Sequence, residues 1–459
     1  MERFMEWILE VNGVVNDLVW GWPFLILIVG TGVLLTVRTR FISFTKFGYM
    51  LKQTFLKIFS KSQVGEGEVT AFQAVSTALA ATVGTGNIAG VGTAIAIGGP
   101  GAVFWMWIAA LFGMATKYGE VVLAIQYREK TEDGRFVGGP MYYLEKGANM
   151  RWLAVLFAIF GAAATFGIGN MVQSNSVADS LNATFGIQPW ITGIVLAVLV
   201  ALVIVGGIKK IGKVTEIVVP FMAAIYILGG LIIIIANIQL VPQAFGVIFR
   251  DAFTGSAAAG GFVGSTLTLS IRYGVARGVF TNEAGLGSAP IAHAAATTDH
   301  PVRQGLWGIF EVFADTIVLC TITALVIVMT GAVDTGLDGA ALTTSAFNEG
   351  IAFGGYIVTF GLIFFAFSTL LGWSYYGERC MEFLFGPKSI VFYRMLFIPL
   401  IVVGAIGGLR AVWALADTLN GLMALPNLIG LLILSPVIVR QTSAFFGKDG
   451  IYDSERKNS

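Results

Sequence analysis

The chain has 459 residues, 56% hydrophobic and only 12% charged, with a net charge of +1. Soluble chains carry about 25% charged residues, so this composition excludes an ordinary soluble globule and, more firmly, disorder. Near-neutral charge implies no nucleic-acid partner. Two His (His293, His300) and two Cys (Cys320, Cys380) are too few and too far apart for a heme, zinc or iron–sulfur ligand motif.

A hydrocarbon core about 30 Å thick needs roughly 20 apolar residues per helix. About eleven stretches qualify on that criterion: 18–37, 68–98, 101–127, 152–185, 189–207, 213–236, 259–280, 303–331, 353–378, 391–409 and 413–438. They predict an all-α polytopic membrane protein in a lipid bilayer. No alternating ten-residue pattern of barrel type occurs. Glu2, Glu6 and Glu10 precede the first apolar run, which is unlike a signal peptide.

Lys and Arg are retained on the cytoplasmic side. Segment 38–61 carries Arg38, Arg40, Lys46, Lys52, Lys57 and Lys61, and placing it inside puts the N-terminus outside. The basic segment 128–151, Lys209, Lys210 and Lys213, and the tail at 441–459 then all fall inside. Asp334, Asp338 and Glu349 fall in an outside loop, and only Arg3, Arg250 and Arg410 are basic outside. Residues 41–61 mix Phe, Leu and Ile with Lys and read as an amphipathic helix on the inner face.

After the N-terminal region 1–64, ten helices divide into two sets of five, at 65–240 and 255–440. Five is odd, so the two sets have opposite orientations. Inverted repeats of this kind place a binding site where the first helix of each half breaks at midplane. Helix 68–98 contains Thr82-Val83-Gly84-Thr85-Gly86-Asn87. Its glycines weaken the helix by about 1 kcal/mol each relative to Ala. A break there frees N–H groups for a carboxylate and carbonyls for a small cation. A close-packing glycine face is the competing explanation. In helix 259–280, hydroxyls at Thr266, Thr268 and Ser270 follow no single helical face, so a local extended segment is expected there. Back-bonding to helix carbonyls is the alternative.

Phe166, Asn170, Gln173 and Ser174 share one face of helix 152–185, which should point at protein or a cavity. Ser368 and Thr369 can complete an oxygen shell for Na⁺, with Trp373 capping a small pocket one turn on. Interhelical hydrogen bonding and packing explain these residues equally well. Of the ionisable residues inside apolar stretches, Arg272 or Arg277 is expected to pair with Glu311 or Asp315 as an inner-side gate.

Three long strings carry more specific information: TALAATVGTGNIAGVGTAIAIGGPGAVFWMW (77–107), GVFTNEAGLGSAPIAHAAA (278–296) and GWSYYGE (372–378). They resemble the alanine or glycine:cation symporters, also called sodium:alanine symporters. The likeness extends through FGIGNMVQSNSVAD (166–179) and DTLNGLMALPNLIGLL (417–432). The resemblance implies a prokaryotic cytoplasmic-membrane transporter with a leucine-transporter-like five-plus-five inverted repeat behind one extra helix. It also implies residue roles. The N–H groups of Thr85 and Gly86 would hold the substrate carboxylate. Thr82, Asn87 and Thr268 would ligate one cation. Ser368 and Thr369, with carbonyls of Ala80 and Val83, would ligate another. Ser270 would lie near substrate, and Phe166, Phe367 and Trp373 would narrow the pocket for alanine and glycine.

The expected function is therefore Na⁺-coupled import of alanine and glycine by alternating access. Proton coupling through Asp315 or Glu311 is the alternative. A channel or sensor without coupled transport is a remoter one. An enzyme is not expected, and no Walker-type phosphate loop is visible.

Overall fold

The computed structural model describes residues 2–58, 65–254, 263–407, 410–448 and 450–457. It is helical almost throughout. We label the long elements α1 (Glu2–Val19), α2 (Trp22–Arg38), α3 (Ala71–Thr82), α4 (Gly86–Gly98), α5 (Ala102–Gln126), α6 (Arg151–Phe185), α7 (Pro189–Ile204), α8 (Gly207–Ala236), α9 (Val263–Asn282), α10 (Ala289–His293), α11 (Pro301–Met329), α12 (Gly354–Phe385), α13 (Ser389–Ile406) and α14 (Arg410–Phe446).

Among the described residues, eight helices are long and apolar enough to cross a membrane. The pair α3–α4, bent by 50° at its break, makes a ninth span if counted as one. Helix α7 is apolar but shorter, at 16 residues. The expected stretch 259–280 falls on α9, with residues 259–262 outside the described residues. Helix starts follow local chemistry. Thr70 caps α3 in a capping box, with Gln73 N–H donating to Thr70 Oγ1 at 2.9 Å and Thr70 N–H to Gln73 Oε1 at 3.1 Å. Proline occupies the first turn of α2, α7 and α11, where its missing N–H costs nothing.

The polarity of the surface is inverted relative to a soluble protein. Val198 on α7 is 54% exposed, Ile232 on α8 56% and Met395 on α13 62%. Meanwhile Lys117, Glu120, Glu311 and Asp315 are fully buried. Only lipid accommodates that arrangement.

One face collects the basic residues. It contains the end of α2, the segment to 58, the 128–151 connection and the end of α14. The amphipathic segment is not one helix there. It is two short helices, Ile42–Thr45 and Phe47–Gln53, and a single tight turn at Phe55–Lys57. Residues 59–61 lie outside the described residues. Phe41 in the left-handed region, at φ 57°, marks the first turn away from α2. The 128–151 connection contains a small hairpin, Glu129–Lys130 paired with Phe136–Val137, which the hydropathy pattern did not show.

The two broken helices lie side by side in opposite directions. Val69 and Glu66, before α3, form backbone bridges with Ala296 and Thr298, beyond α10. At the far end Gly98 of α4 packs against Ser270 and Leu269 of α9. Rising numbers on one helix thus meet falling numbers on the other. This antiparallel pair frames the site.

Candidate functional site

The first break spans Val83 to Thr85. Gly84 N–H donates to Asn87 Oδ1 at 3.0 Å, and Asn87 N–H to Gly84 O at 3.3 Å. Residues Gly86–Gly90 then form a π-turn. Two of its carbonyls are bonded by hydroxyls from neighbouring helices: Thr323 Oγ1 donates to Asn87 O and Thr343 Oγ1 to Ile88 O, each at 2.9 Å. A Cβ at Gly84 would lie 2.7 Å from Thr369 Oγ1, so glycine is required for this approach.

The second break is not at 266–270. Helix α9 runs unbroken from Val263 to Asn282. Its hydroxyl pattern is compatible with a regular helix because Thr268 is exposed and Ser270 is packed against α4. The side chain of Thr266 lies outside the described residues. Neither Thr268 nor Ser270 lines the central cavity. The chain unwinds instead over Glu283–Ser288, with Glu283 (φ 55°), Gly285 (φ 95°) and Gly287 (φ 83°) in the left-handed region. A glutamate there is strained, and such strain concentrates at functional positions. Glu120 of α5 supports the segment. Its Oε1 accepts from Gly285 N–H at 3.0 Å, Gly287 N–H at 3.1 Å and Asn427 Nδ2 at 2.5 Å.

Between the breaks lies a small polar cavity of about 20 Å³. That is roughly the room one ordered water needs. The first break contributes Thr82, Gly84, Thr85 and Gly86 to it; the second contributes Phe280, Thr281 and Glu283. Helix α6 adds Ile168 and Gln173, and α12 adds Thr369 and Trp373. Trp373 Nε1 donates to Glu283 Oε1 at 3.0 Å, and Ser288 Oγ donates to Glu283 Oε2. Gln173 Nε2 donates to Ile168 O at 2.9 Å, leaving its buried Oε1 without a partner.

Beside the cavity, Ser368 Oγ and Thr369 Oγ1 donate to Ala80 O at 3.3 and 3.0 Å. Val83 is buried at the end of α3, while the Thr82 hydroxyl bonds back to Ala78 O at 3.3 Å. A second oxygen cluster surrounds Asp315. Its Oδ1 accepts from Asn87 Nδ2 at 2.7 Å and Thr281 Oγ1 at 3.3 Å, and its Oδ2 from Thr316 Oγ1 at 2.8 Å. Every one of these donors is neutral.

Three expected pocket residues lie elsewhere. Phe166 packs against Tyr393 and Phe397, with ring centroids 5.3 and 6.4 Å away. Asn170 Nδ2 donates to Phe397 O at 2.7 Å. Phe367 packs on the apolar core rather than lining the cavity. The expected arginine gate is also absent. Arg272 pairs with Asp17 at 2.9 Å and Arg277 stacks over Phe280, both on the face opposite the basic one. Glu311 is instead held by Lys117 at 3.3 Å and His293 at 3.0 Å. The α9 helix simply starts further from the basic face than a break at 266–270 requires, which carries both arginines away from α11's carboxylates.

Glu283, Thr281, Phe280 and Glu120 went unread in the sequence. The glycine spacing at 285 and 287 was a usable signal for the break that positions them.

Comparison with known proteins fits this geometry. The sodium:alanine symporter family matches residues 5–457. The sodium/alanine symporter AgcS of Methanococcus maripaludis is 54% identical over 463 residues, covering 99% of this chain and all of that protein. The probable sodium/glutamine symporter GlnT of Bacillus subtilis is 40% identical, covering 98% of this chain and 94% of that one. Among solved structures, MhsT in complex with L-phenylalanine superposes with a TM-score of 0.55 at 13% identity, covering 82% of this chain and 98% of that one. That likeness establishes the leucine-transporter-like fold. The chain therefore belongs to the sodium:alanine symporter family and is a multi-pass membrane transporter rather than an enzyme.

Proposed function

We propose that this protein imports alanine and glycine with Na⁺ by alternating access across a prokaryotic cytoplasmic membrane. The basic face is cytoplasmic and α1 begins outside. The two repeats occupy 65–240 and 255–440, each headed by one broken helix, with eleven spans in all.

The observation that carries Na⁺ coupling is Asp315. A carboxylate buried among neutral donors only is costly, and a cation in its oxygen cluster relieves that cost. In the structure Asn87 Nδ2 supplies the positive end of a dipole to Asp315. Turning that amide over on ion binding presents Asn87 Oδ1 instead and releases Gly84 N–H, which Oδ1 accepts in this structure. Na⁺ then meets Asp315, Thr281, Thr316 and Asn87 oxygens. A second Na⁺ fits between Ser368, Thr369 and the Ala80 carbonyl, where both hydroxyls already converge. Hard oxygen donors suit such an ion.

The amino acid lies between the breaks. The N–H groups of Thr85 and Gly86 at the start of α4 take its carboxylate. Glu283, the carboxylate lining the cavity, takes its ammonium. Trp373, Phe280 and Ile168 leave little room for a side chain. A hydrophobic wall discriminates only about 1–3 kcal/mol per methylene by attraction, so exclusion by size does the selecting. A family relative with glutamine in its name agrees with selectivity set by such walls rather than by the fold.

The test is uptake of labelled alanine into proteoliposomes with an imposed Na⁺ gradient, K⁺ replacing Na⁺ as control. Concentrative, Na⁺-dependent uptake supports the reading. Uptake indifferent to Na⁺ but driven by a pH gradient overturns it in favour of proton coupling through Asp315.

A further inference from the structure

A groove of about 710 Å³ runs along the outward-facing side of α2. Its opposite wall comes from Trp105 and Ile108 of α5 and from Ile271 and Val275 of α9. Every lining residue is apolar except Arg38, at the end of α2 on the basic face. Leu25 and Val275 are buried at its floor, and Ile26, Val33 and Val37 are exposed at its rim. Gly30 widens it at mid-length, where an added Cβ would meet nothing within 4 Å.

A groove open to the bilayer does not stay empty, because unfilled space forfeits dispersion contacts along its walls. Hydrocarbon gains little by moving from lipid to an apolar wall, so the apolar lining does not by itself retain one lipid over its neighbours. Arg38 can do so. Its Nη1 donates to Ser435 Oγ of α14, which fixes the guanidinium beside the groove. Among the described residues it has no carboxylate partner. A guanidinium carries five N–H donors in a fork that matches phosphate, so most of them remain for an anion. The spacing agrees as well. Gly30 lies about 12 Å from Arg38 along α2, at 1.5 Å per residue, and the hydrocarbon of one leaflet is about 15 Å deep. A chain that starts from a headgroup at Arg38 therefore reaches the widened part of the groove.

We propose that this groove holds one anionic phospholipid of the leaflet at the basic face, its phosphate on Arg38 and an acyl chain along α2 past Gly30. Charge complementarity selects this occupant over a second apolar helix, which would leave Arg38 without a counter-charge. Beside the groove, Gly274 and Gly278 of α9 pack on Ala102, Trp105 and Met106 of α5, and α9 continues to Thr281 at the central cavity. The chain thus ends beside the helix that leads into the second break, and α2 acquires a role as the wall that retains it.

The experiment is native mass spectrometry of the purified full-length protein in detergent, titrated with dioleoylphosphatidylglycerol and, separately, with zwitterionic dioleoylphosphatidylcholine. The wild type is expected to hold one phosphatidylglycerol about tenfold more tightly than phosphatidylcholine, the effect of one charge-assisted contact. R38Q removes that preference and R38K keeps part of it. R40Q, which removes a charge outside the groove, keeps all of it. G30W fills the groove at mid-length and weakens binding of both lipids. With open space around Gly30, it is expected to melt as the wild type does.

Equal binding of the two lipids by the wild type, or equal loss in R38Q and R40Q, overturns the site in favour of unspecific surface charge. Undiminished binding in a normally melting G30W removes the chain from the groove and likewise overturns the proposal. A wild-type dimer that G30W separates overturns it in favour of a second copy as the occupant. If G30W fails to fold, the comparison of R38Q with R40Q still decides.

Discussion

The two helix breaks solve the same problem by different means. The first is three residues long and largely self-sufficient. Asn87, three residues from Gly84, accepts its N–H. The second is six residues long and depends on distant side chains. Glu120 is 165 residues from Gly285 and accepts two of its N–H groups, and Trp373 is 90 residues from the Glu283 it holds. A short break can be stabilised locally, whereas a long one requires the rest of the bundle to be in place. The second break is thus positioned to report the state of α5 and α12 directly at the cavity.

The strongest challenge to that contrast is E120A. It leaves the buried N–H groups of Gly285 and Gly287 without their acceptor, at a cost of about 1–3 kcal/mol per group, and removes one of the two acceptors of Asn427 Nδ2, which keeps Gly285 O. Thermal unfolding of the purified variant should show a large loss of stability, and uptake should be abolished. E120Q retains an acceptor oxygen and should fall between. An unchanged E120A would mean that the second break supports itself.

D315N probes where the breaks meet. Removing the charge from the neutral donor cluster should raise the Na⁺ concentration for half-maximal uptake about tenfold or more, the effect of losing one charged ligand. Thermal stability without Na⁺ should hold or rise, because a buried unpaired charge is gone. Na⁺ titration of uptake and of melting temperature checks both.

G84A tests the first break. The added Cβ meets Thr369 Oγ1 and displaces it from Ala80 O. We expect Na⁺ affinity to fall several-fold, by roughly the 0.5–1.5 kcal/mol of one hydrogen-bonding partner, with little change in folding. Normal Na⁺ dependence in G84A would remove Thr369 from the proposed cation site.

E455Q, on the basic face away from both breaks, should have the smallest effect. Partial burial raises the Glu455 carboxyl, but hydrogen bonds from Tyr49 and Arg303 prevail and hold it below the ordinary carboxylate value. Its stabilisation is present above the unfolded value of about 4.3 and is lost as pH falls through the lower folded one. Exposed pairs contribute about 0–1 kcal/mol, so E455Q should shift the melting temperature slightly at pH 7 and not at all in strong acid.

The same contrast explains what could be read from the chain beforehand. The all-helical architecture and the first break were legible, because hydropathy and the Gly84–Asn87 pattern are local. The second break was misplaced by 13 or more residues. The hydroxyls of Thr268 and Ser270 looked irregular, yet an exposed position and a packing position on one helix explain them. Its actual marks, Gly285 and Gly287, acquire meaning only beside Glu120. Regular helical periodicity places Phe166 and Asn170 on one face with Gln173, but in the structure Phe166 and Asn170 turn to Tyr393 and Phe397. A π-turn at Gly167–Met171 then intervenes between Phe166 and Gln173, and only Gln173 reaches the cavity. Burial of the Lys117–Glu311–His293 cluster followed from tertiary packing and had no signature in hydropathy.

Three spans at or beside the cavity carry π-turns near mid-length, counting α3–α4 as one broken span: Gly86–Gly90, Gly167–Met171 and Phe313–Cys320. Helices ordinarily fray from their ends, and their centres exchange amide hydrogens last. Wide turns reverse that order by placing the least regular hydrogen bonding deep in the bilayer. Deuterium should therefore enter these spans from the middle, through the site, rather than from the membrane surfaces inward. Ligands that fill the cavity should slow it there first.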